Sequence, residues 1–138
     1  MTKKLLTGLV LTLLFCQAQP ALRDVKTIYV GSFGEGPGAN LIRSKIISDL
    51  VKSKRVEVVE TVDRADAVLT GIGETSMVPG YSGDLVAYAT AGARLVGKDQ
   101  KILWAGNASS SRMTFSGSAT SGVANRIVKD LLKSMQQR

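Results

Sequence analysis

From Leu85 to Gly97 the chain alternates between two faces without a break. Leu85, Ala87, Ala89, Ala91, Ala93 and Leu95 fall on one side, and Val86, Tyr88, Thr90, Gly92, Arg94 and Val96 on the other. A period of two over that length fits an extended strand, and a strand face made mostly of alanine lets a helix pack close above it. Lys98-Asp99-Gln100-Lys101 reads as a hairpin turn, and Ile102 to about Ser109 as the return strand, with Trp104 in its core or at its rim.

The segments around this hairpin switch period in a definite order. Val25 to Phe33 is rich in β-branched and aromatic residues and reads as a first strand. Gly34 to Gly38 is a loop by composition. From Ala39, apolar Ile42, Ile46 and Leu50 recur four apart, while Arg43, Lys45, Asp49 and Lys52 take the other side, so an amphipathic helix of about four turns is expected. Val56 to Thr61 is a second strand and Ala67 to about Glu74 a third. The link between them is too short for a crossover helix, so the two strands are joined tightly or by one short bend. Thr75 to Gly83 then reads as a Pro/Gly/Ser loop. Ser109 to Gly122 is either a long flexible loop or a continuation of the strand before it, and Val123, Ala124, Ile127, Val128, Leu131, Leu132 and Met135 mark a closing helix that Ser121 can cap. The expected fold is a two-layer α/β sandwich, strand-helix-strand-strand-strand-strand-helix. It has a mixed sheet of about five strands and two helices on one face, in a single domain over residues 22–138.

The first 21 residues have the layout of a secretory signal: Lys3 and Lys4, an apolar run from Leu5 to Phe15, then the small and polar CQAQPA. The run is too short for a lasting transmembrane helix, and cleavage is expected near Ala18 or Ala21. A competing fate is lipidation at Cys16, which the large Phe15 directly before it disfavours. Of 138 residues, 18 are Lys or Arg and 11 Asp or Glu, with no His and one Cys, for a formal charge of +7. Cleavage removes the cysteine and two lysines and leaves about +5. Without His or mature Cys, the Ser/His/Asp and Cys/His triads and cysteine-based zinc sites are excluded.

The succession of a glycine-bearing loop, a helix, VEVVE, the segment Ala65-Asp66-Ala67-Val68-Leu69-Thr70-Gly71 and a hairpin ending Lys101-Ile102-Leu103-Trp104-Ala105-Gly106 resembles a group of small bacterial envelope proteins. The group comprises CsgG-like curli-secretion lipoproteins, the N-terminal domain of TolB and the lipopolysaccharide-assembly protein LptE. The resemblance covers nearly all of the chain after its leader and implies an assembly, scaffold or binding component with no shared catalytic residues. The chain departs from the pattern in the sequence around Cys16 and in having no long insertion able to form a membrane-spanning hairpin.

Several constellations invite chemistry. Gly34-Glu35-Gly36-Pro37-Gly38-Ala39 fits G-x-G-x-x-A between a strand and a helix, with Glu60 about twenty residues on, as in a dinucleotide site. Pro37 removes an amide from that cradle and Glu35 places a negative charge where phosphate would lie, so a strand-to-helix turn is the better account and no cofactor is expected. The pairs Glu57/Glu60 and Asp63/Asp66 sit near a strand end, where solvated charge is ordinary. Ser109, Ser110 and Ser111 with Lys129 or Lys133 lack S-x-x-K spacing.

Two candidate binding surfaces remain. Arg43, Lys45, Lys52, Lys54 and Arg55 form a basic group suited to an anionic lipid, a polysaccharide or an acidic partner, or else a solvated helix face. Met77, Val78 and Tyr81, with Met113 and Phe115, form an apolar contact surface or fold back on the sheet. Nucleic acid is not an expected partner, because the few aromatics are not interleaved with the basic residues. The reading is an exported, non-enzymatic binding or assembly component of the cell envelope, periplasmic or outer-membrane-associated. It would recognise an envelope protein or copies of itself; the alternatives are a periplasmic carrier of a small or lipidic ligand and, less favoured, an enzyme.

Overall fold

The computed structural model describes residues 21–113 and 119–137. Strands β1 (Thr27–Val30), β2 (Glu57–Val59), β3 (Ala67–Pro79), β4 (Leu85–Gly97) and β5 (Ile102–Met113) form one sheet in the order β2-β1-β3-β4-β5, with helices α1 (Pro37–Ser53) and α2 (Ala119–Gln136) packed against it. β1 runs parallel to both β2 and β3, and β3, β4 and β5 form an antiparallel meander. The expected two-layer α/β sandwich with a five-stranded mixed sheet is therefore what the chain forms. Residues 1–20 of the expected signal segment, Cys16 among them, and Phe115 lie outside the described residues, and for Met113 only the backbone is described.

Pairing moves several boundaries away from those expected. β3 continues through Thr75 to Pro79, so the loop expected over Thr75–Gly83 shrinks to the tip of a hairpin: Thr75 pairs with Ala89 and Pro79 with Leu85. Composition marked the stretch as loop, but a partner strand in register outweighs local preference. β5 likewise extends past Ser109 to Met113, opposite Val86, which decides for strand continuation over a flexible loop at its start. α1 begins at Pro37, where the absent amide N–H has no helical partner to lose, rather than at Ala39. α2 begins at Ala119, which places Ser121 within its first turn rather than at a cap.

β2 and β3 are not neighbours. They flank β1, joined by a short 3-10 turn over Val62–Arg64.

The core lies between sheet and helices. α1 buries Ala39, Ile42, Ile46 and Leu50; α2 buries Val123, Ala124, Ile127, Val128, Leu131 and Leu132. The sheet contributes Ile28, Val30, Ala67, Leu69, Ala89, Ala91, Ala93, Leu95 and Trp104. The alanine side of β4 is the buried side, as the alternation requires.

Candidate functional site

Among the described residues no helix covers the other side of the sheet, and the strand registers fix what it presents. Thr70, Arg94 and Ala105 form one row across β3, β4 and β5; Ile72, Gly92 and Asn107 form the next; Glu74, Thr90 and Ser109 follow. The first two rows, with Ser32 and Gly34 from the loop after β1, line a cavity of about 710 Å³, and the third row lines the next hollow along the same face. Gly71, Gly92, Ala93, Ala105 and Gly106 give the cavity a floor of small residues. At its centre Ile72 is 68% exposed, beside Gly92, where an added Cβ would meet nothing within 4 Å. A glycine in mid-strand costs about 0.5–1 kcal/mol relative to alanine, and here neither backbone angle nor crowding within the chain requires it. Mid-strand glycine with open space above it is where another backbone or ligand can approach closely.

The second feature is the outer half of the β3–β4 hairpin. The first turn of α1 reaches Thr75, against which Gly38 packs so tightly that a Cβ there would strike its side chain. Past that point Ser76 to Pro79 and Leu85 lie exposed. Met77, Val78, Tyr81, Leu85 and Tyr88 therefore make an apolar arm. The arm ends in a turn held by Gly80 N–H donating to Asp84 O at 2.6 Å, with Gly83 at φ 83°.

The basic residues divide into two groups. Arg43 directs its guanidinium inward: Nε donates to Val30 O (3.1 Å) and Gly31 O (3.0 Å), and Nη2 to Val30 O (2.8 Å). Arg55 Nη2 donates to Leu132 O at 3.2 Å, closing the end of α2. Lys45, Lys52 and Lys54 stay exposed. Lys54, in the left-handed region at φ 56°, caps α1 through its backbone. Met77 and Tyr81 are exposed on the arm.

The glycine-rich loop is accounted for by turning and packing. Gly34 and Gly36 sit at φ 109° and 110°, and Gly38 lies on Thr75. Of the paired carboxylates, Asp66 accepts the amides of Lys26 (2.9 Å) and Thr27 (3.1 Å). Those bonds, that to Lys26 first, lower its pKa from the ordinary aspartate value against the opposing effect of partial burial. Ser109, Ser110 and Ser111 are strand residues opposite Thr90, Ala89 and Tyr88. Among the described residues no cluster of acidic side chains is able to hold a metal ion, and no helix is long and apolar enough to cross a membrane.

The sequence pointed to the arm through Met77 and Tyr81 but missed the open-face cleft. The only signal for the cleft was Gly92 on the non-alanine side of β4.

No protein-family model matches the sequence, and no curated protein is detectably similar to it. Among solved structures, a PelC dodecamer from Paraburkholderia phytofirmans superposes with a TM-score of 0.59 at 24% identity, over 86% of this chain and 92% of that one. Lipoprotein GNA1162 from Neisseria meningitidis gives 0.54 at 17% identity, covering 80% and 97%. A minor lipoprotein from Acinetobacter baumannii gives 0.54 at 8% identity, covering 77% and 91%. The chain therefore shares, over most of its length, a fold found in bacterial lipoproteins and in a dodecameric protein.

Proposed function

We propose that the chain is an exported, non-enzymatic component of a bacterial envelope that works by surface recognition, associating with copies of itself through the helix-free side of its sheet. The observation that carries this reading is the uncovered face, with exposed Ile72 over a floor of glycine and alanine. The signal-like layout of residues 1–21, the absence of His from the whole sequence, and the occurrence of the fold in lipoproteins and in a dodecamer support it. A carrier would need ligand space between helices and sheet. Ile28, Leu69, Leu95, Ile127 and Leu131 pack that region instead, which favours assembly over carriage.

The test is the size of the full-length chain recovered from the compartment to which a bacterial host delivers it, measured by sedimentation equilibrium, with crosslinking in cells. Species of several copies are expected. A monomer at high concentration, with no envelope protein crosslinked to it, overturns the reading. Intact mass of the same sample decides Cys16, because a diacylglyceryl adduct retains it and an N terminus at Gln19 removes it.

A further inference from the structure

We infer that the contact between copies is head-to-tail: the β3–β4 arm of one copy seats in the open-face cleft of the next, with Asp84 of the arm paired to Arg94 of that cleft. The inference rests on the self-association reading above and names its two surfaces.

The arm is the outward continuation of β3 and β4, the two strands that also run through the cleft, so it cannot fold back into the cleft of its own chain. Ile72 and Val78 are six residues apart along β3, about 20 Å at strand rise, and the apolar tip projects away from the cleft. The outer end of the arm is apolar and exposed, with Met77 58% exposed and Tyr81 fully so. The cleft is concave and floored by Gly71, Gly92 and Ala93. A projecting patch and a receiving patch at different places on one molecule make a heterologous contact, which closes into a ring when the rotation allows.

Charge fixes the direction of the pairing. Arg94 is exposed on the open face, flanked in register by Thr70 and Ala105 and along its strand by Gly92 and Val96. No carboxylate occupies any of those positions. The arm ends at Asp84, whose carboxylate has Ser82 Oγ as a hydrogen-bond donor at 3.1 Å and stays exposed. Opposite charges at such a rim steer encounter and set register, and like charges there oppose association.

The test exploits the asymmetry. D84R gives a chain with arginine on both surfaces, and R94D gives one with aspartate on both. Each alone is expected to associate about tenfold or more weakly than the wild type by sedimentation. Mixed in equal amounts, the two variants are expected to recover assembly, because every junction then joins opposite charges. That recovery also requires both variants to be folded. G92W places a bulky side chain in the cleft from a position where a Cβ meets nothing within 4 Å, and is expected to abolish assembly while leaving the circular dichroism spectrum unchanged.

A wild-type chain that is monomeric overturns the self-association reading itself. A wild type that assembles while the single variants and G92W assemble equally well leaves that reading standing and overturns this interface. Single variants that weaken assembly without recovery on mixing also overturn it.

Discussion

Asp66 and Thr27 hold each other through main chain and side chain at once. Asp66 N–H lies 2.8 Å from Thr27 Oγ1 and 3.0 Å from Thr27 O, and Thr27 N–H donates to Asp66 Oδ2 at 3.1 Å. The same carboxylate oxygen accepts Lys26 N–H at 2.9 Å. This clasp ties the start of β1 to the residue before β3 and lets a short link carry the chain from β2 past β1. The amide of Lys26 foremost, then the amide and hydroxyl of Thr27, hold the Asp66 carboxyl below its usual pKa despite partial burial. A carboxylate with a depressed native pKa contributes stability that is present above its unfolded pKa of about 3.9 and is lost as pH falls through the native value. Asp66→Asn is therefore expected to cost about 1 kcal/mol at neutral pH, and Asp66→Ala about 1–3 kcal/mol. Urea unfolding at a series of pH values should show the gap between wild type and Asp66→Asn narrowing below about pH 4. A gap that is constant down to strongly acidic pH contradicts this role.

Arg43 reaches from α1 to two successive carbonyls at the end of β1, Val30 O and Gly31 O, through Nε and Nη2. An ammonium on a flexible stem cannot reproduce that two-nitrogen geometry. Arg43→Lys is expected to lower stability by about 1 kcal/mol despite keeping the charge. Lys45→Ala, at an exposed position on the same helix, is expected to change it by less than about 0.5 kcal/mol. Equal denaturation midpoints for the two variants would remove the structural role assigned to Arg43.

These two arginines show what the sequence could and could not reveal. Arg43 and Arg55 look like members of a basic surface group because sequence displays charge but not the carbonyls that receive it; those carbonyls belong to other elements, to β1 and its following loop for Arg43 and to α2, 77 residues on, for Arg55. The helices and the alternating strand β4 were legible because burial imposes a period that survives in one sequence. The outer halves of β3 and β5 were not, since Thr75 to Pro79 and Ser109 to Ser111 have turn-like composition and become strands only by pairing with β4. The open-face cleft was hidden for a related reason: Ile72, Arg94 and Asn107 meet only through registers that no local pattern encodes.

The alanine side of β4 carries its own consequence. Ala91 is buried within the core that α2 closes from above. Enlarging it pushes the helix off the sheet, so Ala91→Leu is expected to destabilise by about 1–3 kcal/mol, against the usual gain from added apolar volume. Removing volume acts in the same direction: Leu95→Ala, at a fully buried position two places along the same face, should cost about 2–5 kcal/mol. Thermal unfolding of both variants checks this. An Ala91→Leu chain as stable as the wild type would mean that the helix does not sit close to this strand.

Gly71 and Gly92 are neighbours across β3 and β4 with opposite tolerances. A Cβ on Gly71 would strike the carbonyl oxygen of Gly92 and approach the Phe33 ring to 2.8 Å, whereas a Cβ on Gly92 meets nothing within 4 Å. Backbone on one side and a buried ring on the other leave no flexible atom to yield, so Gly71→Ala is expected to destabilise by about 1–3 kcal/mol. Gly92→Ala should instead be neutral or stabilise the isolated chain by up to about 1 kcal/mol, since alanine loses less backbone entropy on entering a strand. Denaturant unfolding at low protein concentration, where association does not contribute, measures both. If Gly92→Ala proves as damaging as Gly71→Ala under those conditions, then glycine at position 92 serves the fold of the single chain and the open face loses its claim to be shaped for a partner.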